Sequence, residues 1–82
     1  MTTKTQIASW FDRGREQNAI YMFVFCDTFS YEDYPSYAYS IAEAKEIMKK
    51  NGQNMQKLME IYDLYNLDKE SQLNKHRAWV TL

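Results

Sequence analysis

The run Ile20-Tyr21-Met22-Phe23-Val24-Phe25-Cys26 constrains this chain more than any other feature. It is too short for a helix that sustains itself, and its aromatic and β-branched content is that of a strand. It is also apolar on both alternating faces. Tyr21, Phe23 and Phe25 point one way; Ile20, Met22, Val24 and Cys26 point the other. A strand covered on both faces is a central one, so the run predicts packed layers on each side of it.

The flanking segments supply candidates for those layers. Thr3 precedes Gln6 by three residues, the spacing of a capping box. Ile7, Trp10, Phe11 and Gly14 then recur at helical intervals, predicting a helix over 4–16. Gly14 costs such a helix about 1 kcal/mol relative to Ala, so it marks either fraying or a close packing contact. From Asp27 to Pro35 the chain carries turn formers and a proline, which reads as a long loop. Ser36-Tyr37-Ala38-Tyr39-Ser40 reads as a second, antiparallel strand, with Tyr37 and Tyr39 on one face to pair with the aromatic face of the first.

Ser40 and Glu43 form a second capping box and open a helix over 41–50, with Ile41, Ala44, Ile47 and Met48 as its stripe. Glu46 is spaced to pair with Lys50, and Asn51-Gly52 supplies a stop with Gly52 left-handed. Segment 55–65 reads two ways. Met55, Leu58, Met59 and Tyr62 fit a helix, and alternation fits a strand imperfectly. A two-stranded sheet is marginal, however, and a third strand here completes it. Asp68 is an N-cap for a short last helix to Arg77, with Leu73 and His76 or Arg77 facing inward, and the apolar end Trp79-Val80-Thr81-Leu82 is expected to pack. No repeat, linker or low-complexity stretch appears, so residues 1–82 read as a single small domain.

Composition excludes several classes. Hydrophobic residues at 45% and charged residues at 26% describe a folded chain rather than a disordered one. Ten basic residues nearly cancel eleven acidic ones, leaving −1, which argues against a strongly basic nucleic-acid binder and an acidic mimic of DNA. The single cysteine cannot form an internal disulfide. No apolar run approaches the roughly 20 residues of a membrane span, and the first residues lack the apolar stretch of a signal peptide. The expectation is a cytoplasmic protein with no membrane partner.

Catalytic signals are thin. Cys26, Asp27 and His76 are the one trio suggestive of nucleophilic catalysis, but no glycine flanks Cys26, which ends an apolar strand. A buried small hydrophobe is the simpler reading of that residue, and no catalytic residue is assigned. One His and one Cys fall short of a zinc site. Asp27, Glu32 and Asp33 have no glycine among them for a calcium loop. Gly14 and Gly52 are the only glycines, so phosphate-binding loops are absent. No metal or cofactor is expected.

Aromatic clustering is the informative anomaly. Eight of the thirteen aromatic residues lie between 21 and 39, a window with no Lys or Arg and a charge of −3 from Asp27, Glu32 and Asp33. The strand rings Tyr21, Phe23 and Phe25 read as core. Rings in a loop supply contact area at low entropic cost, the recipe of a recognition surface. The candidate binding residues are therefore Phe29, Tyr31, Glu32, Asp33, Tyr34 and Tyr37. A small nucleotide is an alternative ligand if Arg13, Arg15, Lys75 or Arg77 folds over the rings. A nucleic-acid strand is disfavoured, because stacking platforms for single strands lie in positive grooves.

The stretches Cys26-Asp27-Thr28-Phe29, Tyr31-Glu32-Asp33-Tyr34-Pro35, Asn51-Gly52-Gln53-Asn54-Met55, Glu60 through Leu64 and His76-Arg77-Ala78 occur in order along nearly the whole chain. Together they resemble a family of small uncharacterised proteins carried by bacteriophages, prophages and bacteria. The resemblance implies no activity, cofactor or catalytic residue. It implies a valine-rich strand at the position of 56–64, and an accessory protein that acts on the host, including one that blocks a defence system.

The resulting expectation is an α+β fold in the order α-β-β-α-β-α, with a small mixed sheet and helices mainly on one face; the alternative is αββαα with 55–65 helical. For function it is a non-catalytic binding protein whose partner is a host protein. A nucleotide- or small-molecule-sequestering protein is the alternative, and a small Cys-dependent hydrolase a distant third. With thirteen aromatics in 82 residues, surplus apolar surface also suggests a homodimer formed through a sheet edge or the Trp79–Leu82 end.

Overall fold

A computed structural model of the chain describes residues 3–53, 55–65, 68–74 and 77–80. The elements run α1 (Lys4–Glu16), β1 (Tyr21–Asp27), β2 (Asp33–Ala38), α2 (Ile41–Met48), β3 (Gln56–Asp63) and α3 (Lys69–Leu73). The α+β order expected from the sequence holds, and 56–63 is strand. The sheet has three strands in the order β2-β1-β3. It is antiparallel throughout rather than mixed, because both neighbours of β1 run against it. The connection β2-α2-β3 therefore steps over β1, which becomes the central strand that its two apolar faces require.

Each face of β1 has its own core. Met22 and Val24 pack with Ile7, Trp10 and Phe11 of α1, and with Tyr62, Leu64 and Ala78. Phe23 and Phe25 pack with Ala44 and Ile47 of α2, and with Ala38, Leu58 and Ile61. Helices thus lie on both faces rather than mainly on one: α1 with α3 on the first, α2 on the second. One helix cannot cover both sides of a sheet, and β1 has no polar face to leave wet.

The helix ends follow local chemistry. Thr3 Oγ1 accepts from Gln6 N–H at 3.2 Å, and Ser40 Oγ accepts from Glu43 N–H at 3.1 Å. The Glu43 carboxylate reaches back to Tyr39 N–H, one residue beyond the cap. Asn18, left-handed at φ 66°, ends α1. Its N–H donates to Arg15 C=O, and Ala19 N–H donates to Gly14 C=O at 2.9 Å, the paired bonds of a Schellman motif. Glu46 pairs with Lys49 at 3.2 Å rather than with Lys50. α2 stops at Met48, two residues early, and the turn beyond it leads to Gly52 at φ +82°. Ile41 of the expected α2 stripe lies exposed. α3 is capped by Asp68 but ends at Leu73, short of Arg77, and buries Gln72. His76 and Lys75 lie outside the described residues.

β3 explains its own ambiguous sequence. Val24 pairs with Glu60 but Phe25 pairs with Leu58, so Met59 is an extra residue in a β-bulge. The bulge puts Leu58 and Ile61, three apart, on the same face. That spacing imitates a helix, whereas Tyr62 and Leu64 keep the ordinary alternation on the other face.

Both sheet edges are blunted. Ile61 N–H donates to Ala78 C=O, Leu58 N–H to Asn51 Oδ1, and Gly52 N–H to Gln56 C=O. The Gln72 side-chain amide imitates a backbone peptide, accepting from Asp63 N–H at 2.7 Å and donating to Asp63 C=O at 2.8 Å. Arg77 Nε donates to the bulged Met59 C=O. On β2, Asp27 N–H donates to Glu32 C=O, so strict alternation turns the nitrogen of Pro35 toward the open edge. A missing N–H costs nothing there, and proline blunts an edge. This is why Pro35 lies within a strand, and the loop is shorter than the sequence suggested. A second copy adding through a sheet edge would meet these obstacles.

Two glycine substitutions test the packing. A Cβ on Gly14 would lie 2.7 Å from both Leu64 Cδ1 and Tyr37 Cε1. The Tyr37 ring is pinned by its hydroxyl, which donates to Trp10 C=O at 2.7 Å. Gly14→Ala is expected to lower stability by about 1–2 kcal/mol despite the better helix propensity, because overpacking outweighs it; a raised Tm would contradict the contact. Gly52 has open space around it. Gly52→Ala should cost about 1 kcal/mol from its left-handed backbone alone, read from the denaturation midpoint.

Candidate functional site

The β1–β2 hairpin tip is held by one carboxylate. Asp27 Oδ1 accepts from Phe29 N–H at 2.8 Å and Ser30 N–H at 3.3 Å, while Tyr31 N–H donates to Asp27 C=O. These bonds satisfy the turn's own backbone, so side chains there need not turn inward. Phe29 is 77% exposed and Tyr31 79% exposed. Tyr31 also has φ 61°, left-handed backbone that a bulky residue rarely adopts.

The neighbouring turn lies against this tip. Thr28 N–H donates to Met55 C=O at 2.7 Å, and Met55 is itself 60% exposed. Tyr34 stands on β2 opposite Phe25, stacked on it at 5.9 Å between ring centroids, and its hydroxyl donates to Gln56 Oε1. Burial pushes the Tyr34 phenol up, with nearby Asp27 adding, so it remains a donor. Phe29, Tyr31, Tyr34 and Met55 thus gather at one end of the sheet. Met55 was missed from sequence, where it looked like part of a helical stripe; nothing local to 55 signals its contact with residue 28.

Other candidates separate. Glu32 is exposed, and among the described residues no side-chain hydrogen bond or ion pair engages its carboxylate. Asp33 is half-buried beside Cys26, its cross-strand partner. Tyr37 does not join the loop rings or the aromatic face of β1: it sits opposite Met22 and packs against α1. Residues 33–38 form one strand, so alternation sends Tyr37 to the opposite face from Tyr34. Tyr39, expected beside it, donates its hydroxyl to Gln17 Oε1 at the end of α1.

Cys26 is half-buried rather than fully enclosed. Desolvation raises its thiol pKa, and Asp33 and Asp27 raise it further against a smaller opposing effect of Lys57. That is the reverse of what activates a nucleophile. Asp27 is occupied within its turn, and His76 lies outside the described residues. Among the described residues, no three His, Cys, Asp or Glu side chains group to hold a metal ion. Arg15 lies over Phe11 and Arg77 over Trp79, not over the loop rings. Among the described residues, concavities run along α1, between α1 and α3, and beside Tyr65, and these three are not walled by Phe29, Tyr31 or Tyr34. No described helix is long and apolar enough to cross a membrane. Comparison with family models, curated proteins and solved structures finds no match to this chain.

The state of the thiol is testable. Native Cys26 should react with a thiol reagent more slowly than in the unfolded chain at mildly alkaline pH, because a raised pKa leaves less thiolate. Asp33→Asn should move the midpoint of the rate profile to lower pH. A native midpoint at or below that of the unfolded chain would contradict this electrostatic arrangement.

Proposed function

We propose that this chain is a non-catalytic binding protein of the accessory kind that a phage or prophage directs at a host protein, and that the aromatic end of its sheet makes the contact. One observation carries the reading: Phe29 and Tyr31 stand almost wholly in solvent on a turn that Asp27 fixes. Exposed rings on a rigid turn lose little entropy on docking, and aromatic anchors dominate interface energies. Tyr31 sharpens the point. Its left-handed backbone would be better served by glycine, so folding stability alone does not account for a tyrosine there.

Two variants separate binding from folding. Phe29→Ala should leave stability within about 0.5 kcal/mol, as exposed substitutions do. Tyr31→Gly should be neutral or stabilising by up to about 1 kcal/mol, since it relieves the left-handed strain. Each should weaken capture of a host protein by about 2 kcal/mol or more. The measurement is a melt of each variant beside affinity capture from host lysate. Folded variants that retain the same partner as the parent chain would sink the proposal.

A further inference from the structure

Resting on that reading, we infer that the partner surface is cationic, presenting arginine to Tyr31 and Glu32. The window from 21 to 39 holds no Lys or Arg, and its three carboxylates have different duties. Asp27 accepts from Phe29 and Ser30 N–H through its Oδ1, and Asp33 is half-buried beside Cys26. Glu32, next in sequence to the exposed Tyr31, is itself exposed and engaged by no described cation.

A guanidinium suits that pair, since it stacks on an aromatic face while its fork meets a carboxylate. The chain uses the stacking half of this chemistry twice within itself, with Arg77 4.6 Å from the Trp79 ring and Arg15 5.9 Å from the Phe11 ring. Lys57 is the cation nearest the tip by strand register, and it stands across Cys26 on β3, on the opposite side of β1 from β2. The partner is therefore a protein surface carrying arginine among apolar side chains. An added strand is disfavoured by the blunted edges of β2 and β3.

The test uses the intact chain and a set of short peptides with the same leucine and tryptophan content, differing only in arginine, glutamine or glutamate at the intervening positions. Binding is followed through the backbone amide resonances of Phe29, Tyr31 and Glu32. The arginine peptide should move these resonances and weaken as salt rises. It should bind about fivefold more weakly to Glu32→Lys, and fail to bind Phe29→Ala. If the glutamine peptide binds as tightly and is equally lost in Phe29→Ala, the aromatic surface stands and the cationic partner is overturned. Preference for the glutamate peptide, or no shift with any peptide, also overturns it, while host capture decides the surface itself. Shifts that track protein concentration without peptide would make the occupant a second copy of the chain, and equally overturn it.

Discussion

Everything in this fold answers to the burial of β1. Phe23 is wholly enclosed and Val24 and Phe25 nearly so, on opposite faces of one strand. Such a strand can give no face to water, so it needs a helix on each side and a hydrogen-bonded neighbour on each flank. The chain order meets both needs. α1 comes from before the strand, and the crossover through α2 sets β3 on the flank that β2 leaves free. Gly14 follows from the same demand: α1 lies close enough to the sheet that Leu64 and Tyr37 occupy the space of a β-carbon.

Three strands leave two edges, a hazard in proportion to the sheet's size. The β3 edge is closed by unlike parts: a side-chain amide from α3, an asparagine from the turn after α2, and the segment 77–80. The short α3 therefore serves mainly to deliver Gln72 to Asp63. With β3 covered and Pro35 on β2, both edges disfavour an added strand. Exposed Phe29, Tyr31, Tyr34 and Met55 lie where the hairpin and the turn before β3 meet.

That end combines order with exposure. Asp27 supplies the order by satisfying the turn's amides. One oxygen of that carboxylate is thereby engaged within the turn, and Asp33 is half-buried beside Cys26. Of the window's aromatic and acidic residues, Phe29, Tyr31 and Glu32 stand exposed at the tip.

Much of this was legible in the sequence. The two-faced apolar run identified the central strand, and the cap pairs Thr3–Gln6 and Ser40–Glu43 began helices where they stand. These are local properties, decided by residues a few positions apart. The sequence left the loop rings Phe29 and Tyr31 open between surface and core, and the structure exposes them. What else the sequence left open depended on partners distant along the chain. The bulge at Met59 is a matter of pairing with Val24 and Phe25, and only that pairing turns helix-like spacing into a strand. Tyr37 took the α1 face because Met22 lies opposite it, Gln72 became a core residue because its amide pairs with the N–H and C=O of Asp63, and Met55 joined the aromatic end because its C=O accepts from residue 28. The sequence by itself determined which segments are helix-forming or apolar on two faces, since those preferences reside in neighbouring side chains; only the tertiary structure decided register, edge closure and the company each exposed ring keeps, because backbone hydrogen bonds between strands carry no signature in the residues that make them.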